Sequence, residues 1–313
     1  MTLLGAFTVG PGMLRRMELA FIPFARALAS QYTSCGEAPG AISPAIFKGV
    51  VAGVVRVIRA RLLSGKAADL PNTVKPLAAW IVSLLGSPTD EPPGPAGCLA
   101  SGPWAQESLR AGGLALKQGE GARSRILAAV ANVGMRRGYW GLTTAEIRAQ
   151  ASVSRHEFES HFANLDQCFL ATIETLACSA AAEAAQAARR SPDWDHRVCQ
   201  AAFNLCARIA RDPAFARFGF IEIFEPGKPG LEVRARILSI AATALQRAIP
   251  IERRPDDLAA EASVAASWRI ARDIAKRGPR SLANLAPATA YIALAPAIGS
   301  DEALRSIQAG LQR

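Results

Sequence analysis

His156 and Ser160 stand four residues apart in the run SRHEFESHFANLD, with Arg155, Glu157 and Glu159 around them. On a helix, positions four apart share a face. An imidazole and a hydroxyl would therefore project side by side, with a guanidinium near the edge. This set exchanges hydrogen bonds but contains no ordered nucleophile, base and acid, which suits reading base edges in a groove rather than breaking bonds. Phe158 and Phe162 are also four apart and apolar, so they point inward and leave His156 and Ser160 facing out. Arg123 and Arg125 upstream are candidate phosphate contacts, and Thr143, Thr144, Ser154, Glu157 and His161 complete the candidate surface.

Other chemistry finds little support. The six cysteines (Cys35, Cys98, Cys168, Cys178, Cys199, Cys206) show no CxxC spacing, and the three histidines are His156, His161 and His196. No metal site and no cofactor are expected, and the cysteines read as small core residues. No GxSxG, phosphate-binding loop or dinucleotide fingerprint occurs, so no enzyme is expected. The stretch from Val198 to Leu245 carries Phe203, Phe215, Phe218, Phe220 and Phe224. These residues either enclose a small-molecule cavity or form plain core. Phe203, Phe218 and Glu222 are the candidate ligand contacts, and Glu222 serves equally well as a solvent or dimer-surface residue.

The elements that must position these groups are helical. Apolar residues recur at helical spacing over 13–30, 43–64 and 73–86. Residues 87–121 are dense in proline and glycine and read as a linker. Then Arg123 to Arg137 forms a helix with Ile126, Leu127, Val130 and Val133 on one face, stopped by Gly138. Thr143 or Thr144 caps a short helix carrying Ile147 and Ala151, and Ser154 caps the next. A longer alanine-rich helix starts near Leu165, and further helices are expected near 193–211, 213–224, 229–248, 255–277 and 284–297.

Half of the 313 residues are hydrophobic, so a core can form, and the paucity of β-branched runs favours an all-α fold. The net charge of +10 suits a polyanion partner. No signal peptide is evident, and Lys48, Arg56, Arg59 and Arg61 break the most apolar stretch, Ile42 to Leu63. A cytoplasmic protein without a membrane partner is expected.

The run ILAAVANVGMRRGYWGLTTAEIRAQASVSRHEFESHFANLDQCFLA resembles the DNA-binding domain of TetR-family transcriptional regulators. The likeness rests on the Ile-Leu first helix, the Gly138 stop, Thr143 before Ile147, Val153-Ser154, Phe158 and His161-Phe162. It implies an all-helical, ligand-responsive repressor with a helix-turn-helix at 122–170 and a regulatory and dimerisation bundle at 171–313. Its implied partners are double-stranded DNA and a small-molecule effector. Departures are Ser152 where the family has Gly, Glu157 where it often has Thr, Glu159 at an aromatic phosphate contact, and Leu165 at a Lys. Two carboxylates would then face the DNA backbone and be repelled by it, although a carboxylate can accept from cytosine N4. The alternative is a ligand-binding or protein-interaction module of the same fold that has lost specific DNA binding.

The flanks resemble each other. VIRARLLSGKAADLPNTVKPLAAWIVSLLGS matches RIARDIAKRGPRSLANLAPATAYIALAPAIGS, aligning Gly65 with Gly278, Leu70 with Leu282, Pro76 with Pro287, Trp80 with Tyr291 and Gly86 with Gly299. Residues 1–86 thus read as a partial copy of the regulatory domain. Either they pack 43–86 against 255–299 as an intramolecular pseudo-dimer, or they are the remnant of a second regulator and the chain forms a homodimer.

Overall fold

Tight contact between two distant segments organises this protein, and a computed structural model shows it. The structure describes residues 44–85, 121–278 and 282–311, with a few helical residues between 23 and 30. The expected linker at 87–121 therefore lies almost wholly outside the described residues, as do Cys35, Cys98 and most of the expected helix at 13–30. Among the described residues there are helices, short 3-10 turns and loops, and no strand.

Helix α1 (Pro44–Leu63) and α2 (Leu70–Leu85) come from the N-terminal flank. The head comprises α3 (Ala122–Arg137), α4 (Thr144–Ala151) and α5 (Arg155–His161). From there α6 (Leu165–Ala188) runs into a bundle with α7 (Trp194–Arg211), α8 (Pro213–Phe220) and α9 (Lys228–Ala248). The last helices are α10 (Asp257–Arg277), α11 (Leu282–Ile298) and α12 (Ser300–Leu311). The helices expected from the sequence did not include α12. It is short and follows Gly299, yet it buries Leu304, Ile307 and Leu311 beside α7 and α11.

Side-chain caps account for many of the helix starts. Asn164 accepts from Gln167 N–H (2.8 Å), Asp212 from Phe215 N–H (3.0 Å) and Asp256 from Ala259 N–H (2.6 Å). Helix α11 buries Leu285, Tyr291, Ile292 and Leu294 on different faces, as a central helix must. It touches α2, α7, α10 and α12. By length and composition α6 is apolar enough to cross a membrane, but Cys168, Phe169, Ile173 and Leu176 lie inside the core.

The most extensive helix pair is α1 against α10, running antiparallel. Ile46, Val50 and Val57 bury one stripe of α1. Gly49 faces Ala266, and Gly53 lies so close to Ala262 that an added Cβ would sit 2.8 Å from its carbonyl oxygen. The Trp80 ring of α2 covers Gly53, and its Nε1 donates to Ser263 Oγ of α10 (2.9 Å). In return Tyr291 of α11 donates its hydroxyl to the Leu84 carbonyl of α2 (2.7 Å). Arg56 reaches Glu261 at 3.3 Å. Residues 44–85 thereby share one apolar core with the rest of the chain.

Replacing Gly53 by Ala places a methyl 2.5 Å from the Trp80 ring. It should cost about 1–3 kcal/mol by overpacking, read as a lower melting temperature. An unchanged melting temperature would remove α1 from this position on α10.

Candidate nucleic-acid interface

Helix α5 has seven residues, too few to persist alone, so its geometry depends on its ends and its buried side. Ser154 starts it with a reciprocal cap. Its hydroxyl accepts from Glu157 N–H (3.1 Å), and the Glu157 carboxylate accepts from Ser154 N–H (2.8 Å). Phe158 and Phe162 are buried, their rings 6.0 Å apart, and Ile147 and Val153 are buried as well. The turn before α5 needs Ser152 at φ +52°, the only non-glycine with positive φ among the described residues. Its N–H bonds back to Ala149 O (3.3 Å) and Val153 N–H bonds to Arg148 O (3.1 Å). This is a helix stop normally made by glycine.

The candidate residues divide into an outer set and a set committed to the scaffold. His156, Ser160 and His161 are exposed on α5, and Thr144 is exposed at the start of α4. Ser160 Oγ donates to the Glu157 carbonyl (2.8 Å), and the His161 ring lies beside Phe162. Arg123 is exposed and lies over the Phe162 ring at 5.6 Å, holding its charge at the rim of the head. Thr143, not Thr144, caps α4 by accepting from Glu146 N–H (3.2 Å). Arg125 Nε donates to the carbonyl of Ala151, the last residue of α4 (3.0 Å).

The two carboxylates expected to face a phosphate backbone are exposed, and each also has a partner within the head. Glu157 turns back to cap its own helix, and the backbone hydrogen bond from Ser154 holds its carboxyl below the usual range. Glu159 pairs with Arg155 Nε at 2.7 Å, which likewise lowers its carboxyl. Arg136 and Arg137 are both drawn to Glu146, at 3.8 and 2.8 Å. Arg155, Arg136 and Arg137 are thus partly neutralised within the head.

The candidate ligand contacts Phe203, Phe218 and Glu222 have different neighbours. Phe203 lies by Gly310 of α12. Phe218 presses on Gly134 of α3 and stacks edge-on to Phe169 at 5.1 Å. Glu222 accepts from Tyr139 N–H (3.1 Å) and pairs with Arg217 Nε (3.2 Å). Arg217 donates to the carbonyls of Gly134 and Met135 (3.0 Å for the latter), near the end of α3. Trp140 Nε1 donates to Glu225 (3.1 Å), and the Tyr139 hydroxyl donates to Asp166 (2.7 Å). Arg217, Tyr139 and Trp140, which the sequence reading passed over, are therefore the clasp between head and bundle. Burial raises the Glu222 carboxyl, so the neighbouring Arg217 is what favours its charge here. Cys168, Cys199 and Cys206 are buried, and burial pushes their thiols up to about 12. Cys178 is exposed and falls outside the core expected for it.

No family model matches the chain, and no curated protein matches it. Among solved structures, a transcriptional regulator from Rhodococcus sp. Rha1 is similar at 19% identity and a TM-score of 0.43. That match covers 62% of this chain and 99% of the other. A bacterial regulatory protein in the TetR family from Rhodococcus RHA1 is similar at 20% identity and a TM-score of 0.39, covering 60% and 98%.

Ser152→Gly should raise stability by about 1 kcal/mol, because a left-handed L-residue carries roughly that penalty. Denaturant unfolding measures it. A loss of stability would mean that the Ser152 side chain contributes more than its backbone strain costs.

Proposed function

We propose that the chain is a DNA-binding transcriptional regulator of the TetR type, built with one reading head per folded unit. The observation that carries this reading is α5. It stands at the edge of the head with Phe158 inward and His156, Ser160 and the Arg155–Glu159 pair outward. A helix presented in this way enters a major groove with its early exposed residues at the base edges. Arg123 supplies a backbone contact at the rim. The clasp of Arg217, Glu222 and Tyr139 offers the route by which a change in the bundle, such as effector binding, would tilt the head. A repressor is the sign of regulation this reading favours, because tilting one head out of register releases DNA.

The flank completes the regulator. Gly65 and Gly278 both have left-handed φ, +71° and +76°, and each follows the long helix of its half. The register that sets Gly65 on Gly278 also sets Gly49 on Ala262 and Gly53 on Ala266. The packed pairs are Gly49 with Ala266 and Gly53 with Ala262. Each pair becomes the other when the halves are exchanged, as in a two-fold interface. This supports a duplication in which α1 and α2 stand where a second subunit would bring its own helices. The unit is then a monomer with an internal pseudo-dimer bundle, and light scattering should give the mass of one chain. A stable dimer held through α10 and α11 would overturn that part.

A second reading, an effector-binding or interaction module without specific DNA binding, is favoured by one observation. The head spends Arg155, Arg136 and Arg137 on its own carboxylates. Fluorescence anisotropy against the chain's own upstream DNA, with unrelated DNA as control, separates the two. The regulator binds its own DNA more tightly, and binding falls with salt. In that series Arg123→Ala lowers the slope of log affinity against log salt by about 0.9. Glu159→Gln frees Arg155 and tightens binding. Equal, weak binding to both DNAs, unchanged by Glu159→Gln, selects the second reading.

A further inference from the structure

Arg155 and Glu159 form an ion pair on α5 that helix stability does not explain. Arg155 is the first residue of α5, where the positive end of the helix dipole disfavours a cation. A basic residue followed four positions later by an acidic one is also the weaker order for such a pair. The helix already has its reciprocal cap at Ser154 and Glu157 and its buried Phe158. An exposed pair adds little to folding beyond these. What the pair does fix is the presentation of the guanidinium.

Glu159 Oε1 accepts from Arg155 Nε at 2.7 Å. Nε lies on one side of the planar group, so the bond steers the plane and leaves the two Nη groups at its end. Among the described residues no other hydrogen bond engages Arg155. The pair is open to solvent, with 79% of the Arg155 side chain and 54% of that of Glu159 exposed. Its neighbours are occupied, Glu157 with the cap and Ser160 Oγ with the Glu157 carbonyl (2.8 Å). The Nη end is a fork of two donors side by side. In the major groove guanine presents two acceptors side by side, O6 and N7, whereas adenine offers one acceptor beside a donor, thymine one acceptor and cytosine a donor. A guanidinium held by its Nε is therefore set to favour guanine.

We propose that Arg155 reads a guanine in the target and that Glu159 is its positioning residue, holding Nε so that the Nη fork meets O6 and N7 end-on. This rests on α5 entering the major groove, as proposed above, and it names the base met there. It also gives a carboxylate at a DNA-facing position a use. Glu159 lowers affinity for every sequence through repulsion by phosphates, and raises discrimination because the long Arg155 side chain is ordered before DNA arrives.

The test is a selection from a random pool of double-stranded DNA by the full chain, by Arg155→Ala and by Glu159→Ala. The parent should enrich a site with guanine at one fixed position. Arg155→Ala should lose the preference at that position and keep those at the others. Replacing that guanine by 7-deazaguanine, which lacks the N7 acceptor, should weaken parent binding roughly tenfold and leave Arg155→Ala unaffected. Glu159→Ala should bind every sequence more tightly, yet the penalty for the same replacement should shrink to about threefold. Both variants should melt with the parent, because the pair is exposed. A markedly lower melting temperature for Glu159→Ala would give Glu159 a structural role and overturn its positioning one. A guanine preference that survives Arg155→Ala, or a full tenfold penalty kept by Glu159→Ala, would overturn the inference and leave the reading head standing. A pool from which the parent enriches nothing would overturn the reading head, and this inference with it.

Discussion

The approach of α1 to α10 at Gly53 and Ala262 sets the position of nearly everything else. With no side chain on Gly53, the Trp80 ring lies across the crossing and reaches Ser263. Arg56 can then meet Glu261 one turn further on. Once α10 is fixed, its other neighbours α8, α9 and α11 pack around it, and α11 carries α7 and α12. A methyl group at this crossing would be felt along that whole chain of contacts, because cores packed to solid density do not absorb such changes locally.

The head draws its order from the bundle by a second route. Phe218 fills the space left by Gly134, while Arg217 binds the carbonyls near the end of α3 and Glu222 fixes the turn that follows. One short segment, α8 and the turn after it, therefore touches both the head and α10. Displacing that segment by a small amount would shift α3 and the helices resting on it, since packed interfaces move between discrete arrangements. The exposed face of α5 carries no such constraint. Its order comes from a cap and two phenylalanines, which leaves the His156 and Ser160 side chains exposed on the outer face.

Local features were legible in the chain itself. The all-helical class, the cap at Ser154, the inward pair Phe158 and Phe162, and the stop at Gly138 follow from spacing and turn chemistry within a few residues. The capping role of Glu157 was equally local, since Ser154 and Glu157 have capping-box spacing, and it adds to the exposed position expected of that residue. Glu222 was not legible. Its partners Tyr139 and Arg217 include one far away in sequence, and a carboxylate in an apolar stretch gives no sign of which distant amide it will meet. The arginines over Phe224 illustrate the same limit. Arg234 and Arg272 each read alone as a solvated charge, and only the packing of α9 on α10 brings both over Phe224. Helix α12 was legible but passed over, since Leu304, Ile307 and Leu311 recur at helical spacing after Gly299.

A contact made within one chain obeys different statistics from one made between two. Subunits that must find each other are depleted at low copy number, so the competent fraction of an ordinary two-subunit regulator rises steeply with its concentration. Here α1 is joined covalently to the helices it packs on, and its local concentration is set by the connecting chain, not by the cell. If the unit is the monomeric regulator proposed above, occupancy of a target follows the number of chains in simple proportion, with no threshold. A few molecules then behave per molecule as many do.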